Sequence, residues 1–201
     1  KKGEVQSIMF TSFNPGSGKT FISANLSVAL ALAGKRVILL EMDIRKGSAK
    51  SEDGTVPAGI TNYLSGKVSG IRDIIRKSEW HDTLDVITSG PVPPNPAELL
   101  LSNRLDMLME ELRREYDFIL IDTVPYGVVA DAQVINRIAD LCIYVIREGR
   151  FDRRLLPDVE KLYTDGRLSH MAVVLNEVCY EQAGYYGYYG YYGYGYGNKK
   201  E

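Results

Sequence analysis

Thiols and imidazoles are scarce in this 201-residue chain, which has two cysteines and two histidines. Cys142 lies inside an apolar run and Cys179 borders a biased C-terminal segment. The pair has no metal-ligand spacing and is too small for a secreted disulfide scaffold, so a reducing cytosolic compartment is expected. His81 and His170 stand in no constellation and are read as surface residues. Basic excess is also missing. A formal net charge of −2 leaves no broad cationic surface for nucleic acid, and no such partner is expected. Long apolar runs are absent too: the longest candidate, around residues 26–40, is broken by Ser27, Lys35 and Arg36, short of the ~18 residues that span a bilayer. The sequence starts at Lys1 with neither an initiator methionine nor a signal peptide, and it reads as a fragment of something longer.

What is present suits one globular domain with an appendage. Residues are 45% apolar and 25% charged, enough for a sizeable core over residues 1–179, followed by a tail at 180–201. Short runs rich in Val, Ile and Leu at 7–13, 36–43, 84–89, 118–124, 141–147 and 171–178 read as strands buried on both faces. Helical patterns lie between them. The segment 20–33 is rich in Ala and Leu and ends at Gly34, a suitable C-cap. The segment 96–116 carries Leu101, Leu105, Leu108, Leu112 and Tyr116 at spacings of three or four, and opens with Asn95, Pro96 and Glu98 as a capping box with proline at the first helical position. Alternation of this kind predicts an α/β fold with a mostly parallel central sheet flanked by helices, and a site beyond the carboxyl ends of the strands. Residues 47–59 read as a surface loop.

The first strand leads into Asn14-Pro15-Gly16-Ser17-Gly18-Lys19-Thr20 and then a helix. That context makes the stretch a phosphate-binding loop: glycines let backbone N–H groups approach an anion, and the helix N-terminus adds a favourable dipole. Lys19 supplies a point charge to the β- and γ-phosphates of a nucleotide, and the Thr20 hydroxyl is a Mg²⁺ ligand. Phe13 departs from the generic pattern, which has glycine there. Two strand ends are acidic. The run 118–122 finishes in Asp122, expected to reach the metal. In the run 37–45, Glu41 and Asp43 are two residues apart and so point to one side of an extended strand, where with Arg45 they are expected to converge on the γ-phosphate. Asp131 is equally well an N-cap or a site residue.

The end of the chain is different in kind. Tyr180, Tyr185, Tyr186, Tyr188, Tyr189, Tyr191, Tyr192, Tyr194 and Tyr196 are nine of its 14 tyrosines. Glycine at every second or third position offers no apolar face, while ordering such a segment costs about 1–2 kcal/mol per residue. A disordered, hydroxyl-rich tail is expected, its phenols being the reason for it.

Taken together, the chain resembles a bacterial tyrosine kinase of the polysaccharide co-polymerase type, the cytoplasmic kinase domain of capsule and exopolysaccharide export systems. The resemblance runs nearly end to end: 12–20 as Walker A, 39–46 as the acidic Walker A′, 59–66, 90–100 with its Pro-Pro-Asn-Pro-Ala-Glu-Leu-Leu stretch at 93–100, 116–125 as Walker B, 139–147, 173–176 and the tyrosine cluster. The family tolerates a non-glycine residue at Phe13. Glu41 stands where aspartate is usual and Val124 where proline is common. The deviant Walker ATPases that position division sites or partition plasmids share several motifs, so a nucleotide switch without tyrosine phosphorylation is the alternative. The signature lysine early in the loop of the partitioning ATPases is missing here.

The resemblance implies a P-loop fold of the deviant Walker type and MgATP-dependent phosphorylation of the tail tyrosines by a neighbouring subunit in a homo-oligomeric ring. In that scheme Asn14 to Phe21 hold the nucleotide; Thr20, Asp43 and Asp122 hold Mg²⁺; Asp43 or Glu41 takes the phenol proton; and Asn176 reads the adenine edge, by analogy with the family. It also implies a membrane activator segment fused upstream or supplied separately, a cognate tyrosine phosphatase, and a place on the cytoplasmic side of the bacterial inner membrane. Phosphorylation, at about −1.5 to −2 charges per tyrosine, is expected to release the tail and loosen assembly.

Overall fold

The computed structural model describes residues 6–51, 53–127, 130–168 and 170–179. The nine tail tyrosines lie outside the described residues. Seven strands form one sheet: β1 (Ser7–Ser12), β2 (Val37–Glu41), β3 (Arg76–Lys77), β4 (Leu84–Ile87), β5 (Phe118–Asp122), β6 (Leu141–Arg147) and β7 (Met171–Asn176). Their order is β3-β4-β2-β5-β1-β6-β7, parallel throughout except for β3 against β4. The chain steps to one side of β1 for β2 to β5 and to the other for β6 and β7. A ligand crevice therefore belongs at the carboxyl end of β1.

The pleat divides the central strands between two cores. Met9, Ile38, Leu40, Ile119 and Ile121 face one side; Ile8, Phe10, Val37, Leu39 and Leu120 face the other. The first side is covered by α2 (Ile60–Leu64), α3 (Pro96–Leu101), α4 (Asn103–Glu115), α5 (Asp131–Asn136) and α6 (Leu156–Thr164). The second is covered by α1 (Lys19–Leu32), through Ala31 with Ile22, Leu26 and Leu30. Burial on both faces explains why the central strands read as continuous apolar runs rather than alternating ones.

Several expectations change. The helix expected over 96–116 is two, because Ser102 is extended (φ −69, ψ 148) and its hydroxyl bonds back to Leu99 O at 2.7 Å. Pro96 holds the first helical position, but Asn95 donates to Glu98 Oε2 (2.6 Å) instead of capping a backbone N–H. β7 is an edge strand, not one buried on both faces, with Val173 and Leu175 more than half exposed. β3, two exposed residues long, adds a strand that carries no apolar signal in the sequence. Gly34 does follow α1 in left-handed geometry (φ 76), its N–H bonded to Ala31 O. No helix among the described residues is long and apolar enough to cross a membrane.

Candidate active site

The loop after β1 turns tightly enough to need two left-handed glycines, Gly16 (φ 75) and Gly18 (φ 90). Its carbonyls are held by side chains of the loop and of its neighbours. Ser12 Oγ and Ser17 Oγ both donate to Asn14 O at 2.8 Å, Arg147 Nη1 donates to Gly16 O at 2.8 Å, and Asn176 Nδ2 donates to Ser17 O at 3.0 Å. Among the described residues, the N–H groups of Gly16, Ser17 and Gly18 donate to no protein acceptor. A curl of backbone with its carbonyls tied and its N–H groups free, opening a helix, is built to receive an anion.

Beside this loop lies a cavity of about 490 Å³, lined by Lys19, Thr20, Glu41, Asp43, Lys46, Gly47, Ser48, Ala49, Ser89 and Asp122. Parallel pairing of β2 with β5 sets Glu41 directly opposite Asp122. Thr20 Oγ1 donates to Asp122 Oδ2 at 2.6 Å, whereas the buried Asp122 Oδ1 has no partner among the described residues. Burial raises the Asp122 pKa, with Asp43 adding to it and the Thr20 bond and Lys19 acting against it. Burial also raises that of Glu41, helped by Asp122 and opposed by the Ser89 backbone and Lys46. A buried carboxylate oxygen without a donor, next to a hydroxyl and two more acids, fits a hard divalent cation with oxygen ligands.

A family model described as an AAA domain matches residues 5–152. The tyrosine-protein kinase YwqD of Bacillus subtilis (strain 168) is 36% identical over 189 residues, 91% of this chain and 78% of that protein. The chain spans much less of the putative tyrosine-protein kinase AmsA of Erwinia amylovora, 34% identical over 89% of this chain and 24% of that protein. The solved kinase domain of Escherichia coli tyrosine kinase ETK superposes with a TM-score of 0.77 at 31% identity, over 98% of this chain and 75% of that one.

The chain belongs to the bacterial tyrosine-protein kinase family. Within that kinase fold the structure brings together Lys19, Thr20, Glu41, Asp43 and Asp122, as their positions in the sequence led one to expect. Arg45 is elsewhere. Its Nε and Nη2 donate to Asp131 Oδ2 and Oδ1 at 2.6 and 2.8 Å, so the guanidinium is tied to a buried acid rather than aimed into the cavity. Asp131 is accordingly neither an N-cap nor a cavity residue. Asn176 spends its amide on Ser17 O rather than on a free edge, and a Cβ on Gly18 would stand 2.1 Å from its Nδ2. Phe21 is 68% exposed on α1 and lines no part of the cavity. Asn14, Pro15 and Ser17 border a second cleft with Arg147, Arg150 and Phe151.

Sequence reasoning missed Lys46, Ser48 and Ser89, although Lys46 ends the acidic motif. Ser48 is placed by two bonds to Gly90, Ser48 N to Gly90 O (2.9 Å) and Gly90 N to Ser48 Oγ (2.8 Å). Gly59 packs under the same turn, where an added Cβ would lie 2.2 Å from Thr88 O and 2.5 Å from Gly90 N. The motifs that begin at Gly59 and Gly90 thus serve one purpose: they seat the loop after β2 against the cavity.

Proposed function

We propose that this chain is a MgATP-dependent protein-tyrosine autokinase. Its acceptors are its own tail tyrosines, Tyr180 to Tyr196, modified in trans within a homo-oligomeric ring, in the control of capsular or exopolysaccharide synthesis and export. The observation that carries this reading is the single cavity that joins Lys19 and Thr20 of the phosphate loop to Glu41, Asp43 and Asp122, on a chain that ends in nine phenols. The tail's residues 180–201 stretch to about 65–70 Å when fully extended, ample for a neighbour's cavity. A membrane activator segment, a cognate phosphatase and a place on the cytoplasmic side of the inner membrane complete the proposal.

The residues divide the work. The N–H groups of Gly16, Ser17 and Gly18, which have no acceptor among the described residues, cradle the phosphates of ATP, and Lys19 offsets charge on the transferred group. Thr20, Asp43 and Asp122 would hold Mg²⁺, which when bound would offset the negative charge of the phosphates. A phenol has a pKa near 10, so its proton needs an acceptor as the new bond forms. Glu41, raised by burial, and Asp43 are the carboxylates in reach. The phenol oxygen bonds to the γ-phosphorus, the bond from that phosphorus to the β-phosphate oxygen breaks, the proton passes to the carboxylate, and ADP leaves. Mass spectrometry of tail peptides after incubation with MgATP tests this, comparing the chain with Lys19→Met. Phosphotyrosine in the first and a loss of at least ~100-fold in the second are expected; an unmodified tail in the assembled unsubstituted protein would overturn it.

A further inference from the structure

The second cleft shares no lining residue with the acidic cavity and has a different chemistry. Its volume is about 250 Å³ and its walls are Asn14, Pro15, Ser17, Arg147, Arg150 and Phe151. Arg150 is exposed, and its Nη1 lies 3.6 Å from where a Cβ on Gly16 would stand. No carboxylate among the described residues pairs with it. The acids of its own turn are taken: Glu148 accepts from Cys179 N (2.6 Å) and Asp152 pairs with Arg154 (2.6 Å). Arg147 divides itself between Gly16 O and an ion pair with Glu177. Phe151 stands edge-on to Phe13, with ring centroids 6.0 Å apart.

The root of the tail is fastened to this same turn. Glu148 N donates to Asn176 O (3.0 Å), Glu177 pairs with Arg147, and Cys179 N bonds the Glu148 carboxylate. Tyr180 is the next residue in sequence, and Tyr185 and Tyr186 follow within about 20–25 Å of extended chain. A tether that short gives an effective concentration of about millimolar at a nearby site.

We propose that this cleft is a dock for an aryl phosphate, namely a phosphorylated tyrosine near the root of the chain's own tail. The dianion pairs with the Arg147 and Arg150 guanidiniums, replacing the weaker Glu177 carboxylate, and the phenyl ring packs on Phe151 and Pro15. Docking draws a modified tail away from Glu41, Asp43 and Asp122, whose charges repel it. The source of the phosphate rests on the kinase reading above; the site itself does not.

The test places the phosphate chemically. Ligating a synthetic 179–201 peptide through Cys179 to residues 1–178 gives the full chain with one phosphotyrosine, at 180, 185 or 186, whether or not the protein is a kinase. ³¹P NMR then follows the titration of that phosphate. In at least one of the three proteins the midpoint should fall about one pH unit below its usual value near 6, a tenfold preference for the dianion relative to the free phosphopeptide. Arg150→Gln and Arg147→Gln should each reverse the shift, and the exposed Arg150 keeps the test valid if the Arg147 variant fails to fold. Saturating MgADP should leave the shift in place. Midpoints equal to the free peptide's in all three proteins, or a shift insensitive to Arg150→Gln, would refute the dock. Loss of the shift with MgADP would assign the cleft to nucleotide phosphates instead. A failed dock leaves phosphotyrosine formation by the unsubstituted chain unaffected, so the two readings fail separately.

Discussion

Thr20 Oγ1 lies 2.6 Å from Asp122 Oδ2 although 102 residues separate them in sequence. A hydroxyl from the first turn of α1 and a carboxylate from the end of β5 are held in one bridge, with the second carboxylate oxygen buried and without a partner among the described residues. Such an arrangement is costly without a cation and favourable with one.

Asp122→Asn should therefore stabilise the metal-free protein while removing its response to metal. Burial raises the Asp122 pKa, so the folded state binds this proton more tightly than the unfolded state. Its contribution favours folding at low pH and declines as pH rises above the usual carboxylate range. At pH 7 the asparagine variant should gain about 1 kcal/mol, a few degrees in melting temperature. At saturating ADP, adding Mg²⁺ should raise the melting temperature of the unsubstituted chain further and leave that of the variant nearly unchanged. Differential scanning calorimetry reads both effects, and a variant that responds fully to metal would contradict the assignment.

Arg45 gives a stability prediction in place of a catalytic one. The Asp131 side chain is only 4% exposed and, among the described residues, Arg45 is its one ion-pair partner, so Arg45→Ala strands a buried charge at a cost of about 3 kcal/mol. Adding Asp131→Asn should restore most of that loss. Urea unfolding of the single and double variants measures the coupling, and additive effects would show that the pair is not the source.

The Gly59–Gly90 contact is steric. A Cβ on Gly59 meets backbone atoms of Thr88 and Gly90 at 2.2–2.5 Å, which cannot move aside as a flexible side chain would. Gly59→Ala should lower stability by about 2 kcal/mol or more and weaken nucleotide binding through the displaced Ser48 loop. Unchanged melting and unchanged affinity would show that this turn yields freely.

Asp140 sets an acid limb. Burial works to raise its pKa, but the Arg113 guanidinium and the Ser7 and Gln6 groups that donate to it outweigh burial and hold it at about 2. A depressed carboxylate stabilises the fold above its unfolded pKa, and that contribution disappears as pH falls from about 4 to about 2. Asp140→Asn should be less stable than the unsubstituted chain at pH 6, with the gap closing toward pH 2. Chemical denaturation across that range follows it; a gap independent of pH would assign the loss to packing.

The legible parts of this protein are those where neighbours in sequence act together. Buried parallel strands are apolar at every position, so β1, β2, β5 and β6 show as runs. The Asn14 to Thr20 loop is contiguous, and Glu41 and Asp122 each lie at the end of an apolar run that reads as a strand. Illegible parts depend on partners far away. Nothing local distinguishes Arg45, aimed at Asp131 86 residues on, from an arginine aimed at a phosphate. Ser102 breaks a helix whose leucine spacing is unbroken on either side. β3 is too short and too polar for any periodicity to register.

By itself, then, the sequence determined the α/β class, the phosphate loop, the acids at the strand ends and the nine phenols, because each is written in adjacent residues or in a strand's own period. Only the tertiary structure decided which charges meet. It paired Glu41 with Asp122 through β-sheet register, removed Arg45 to Asp131, turned Asn176 onto the loop it closes, and set Arg147 and Arg150 beside that loop at the root of the tail. Electrostatic partnership depends on distances of a few ångströms between segments that only folding brings together.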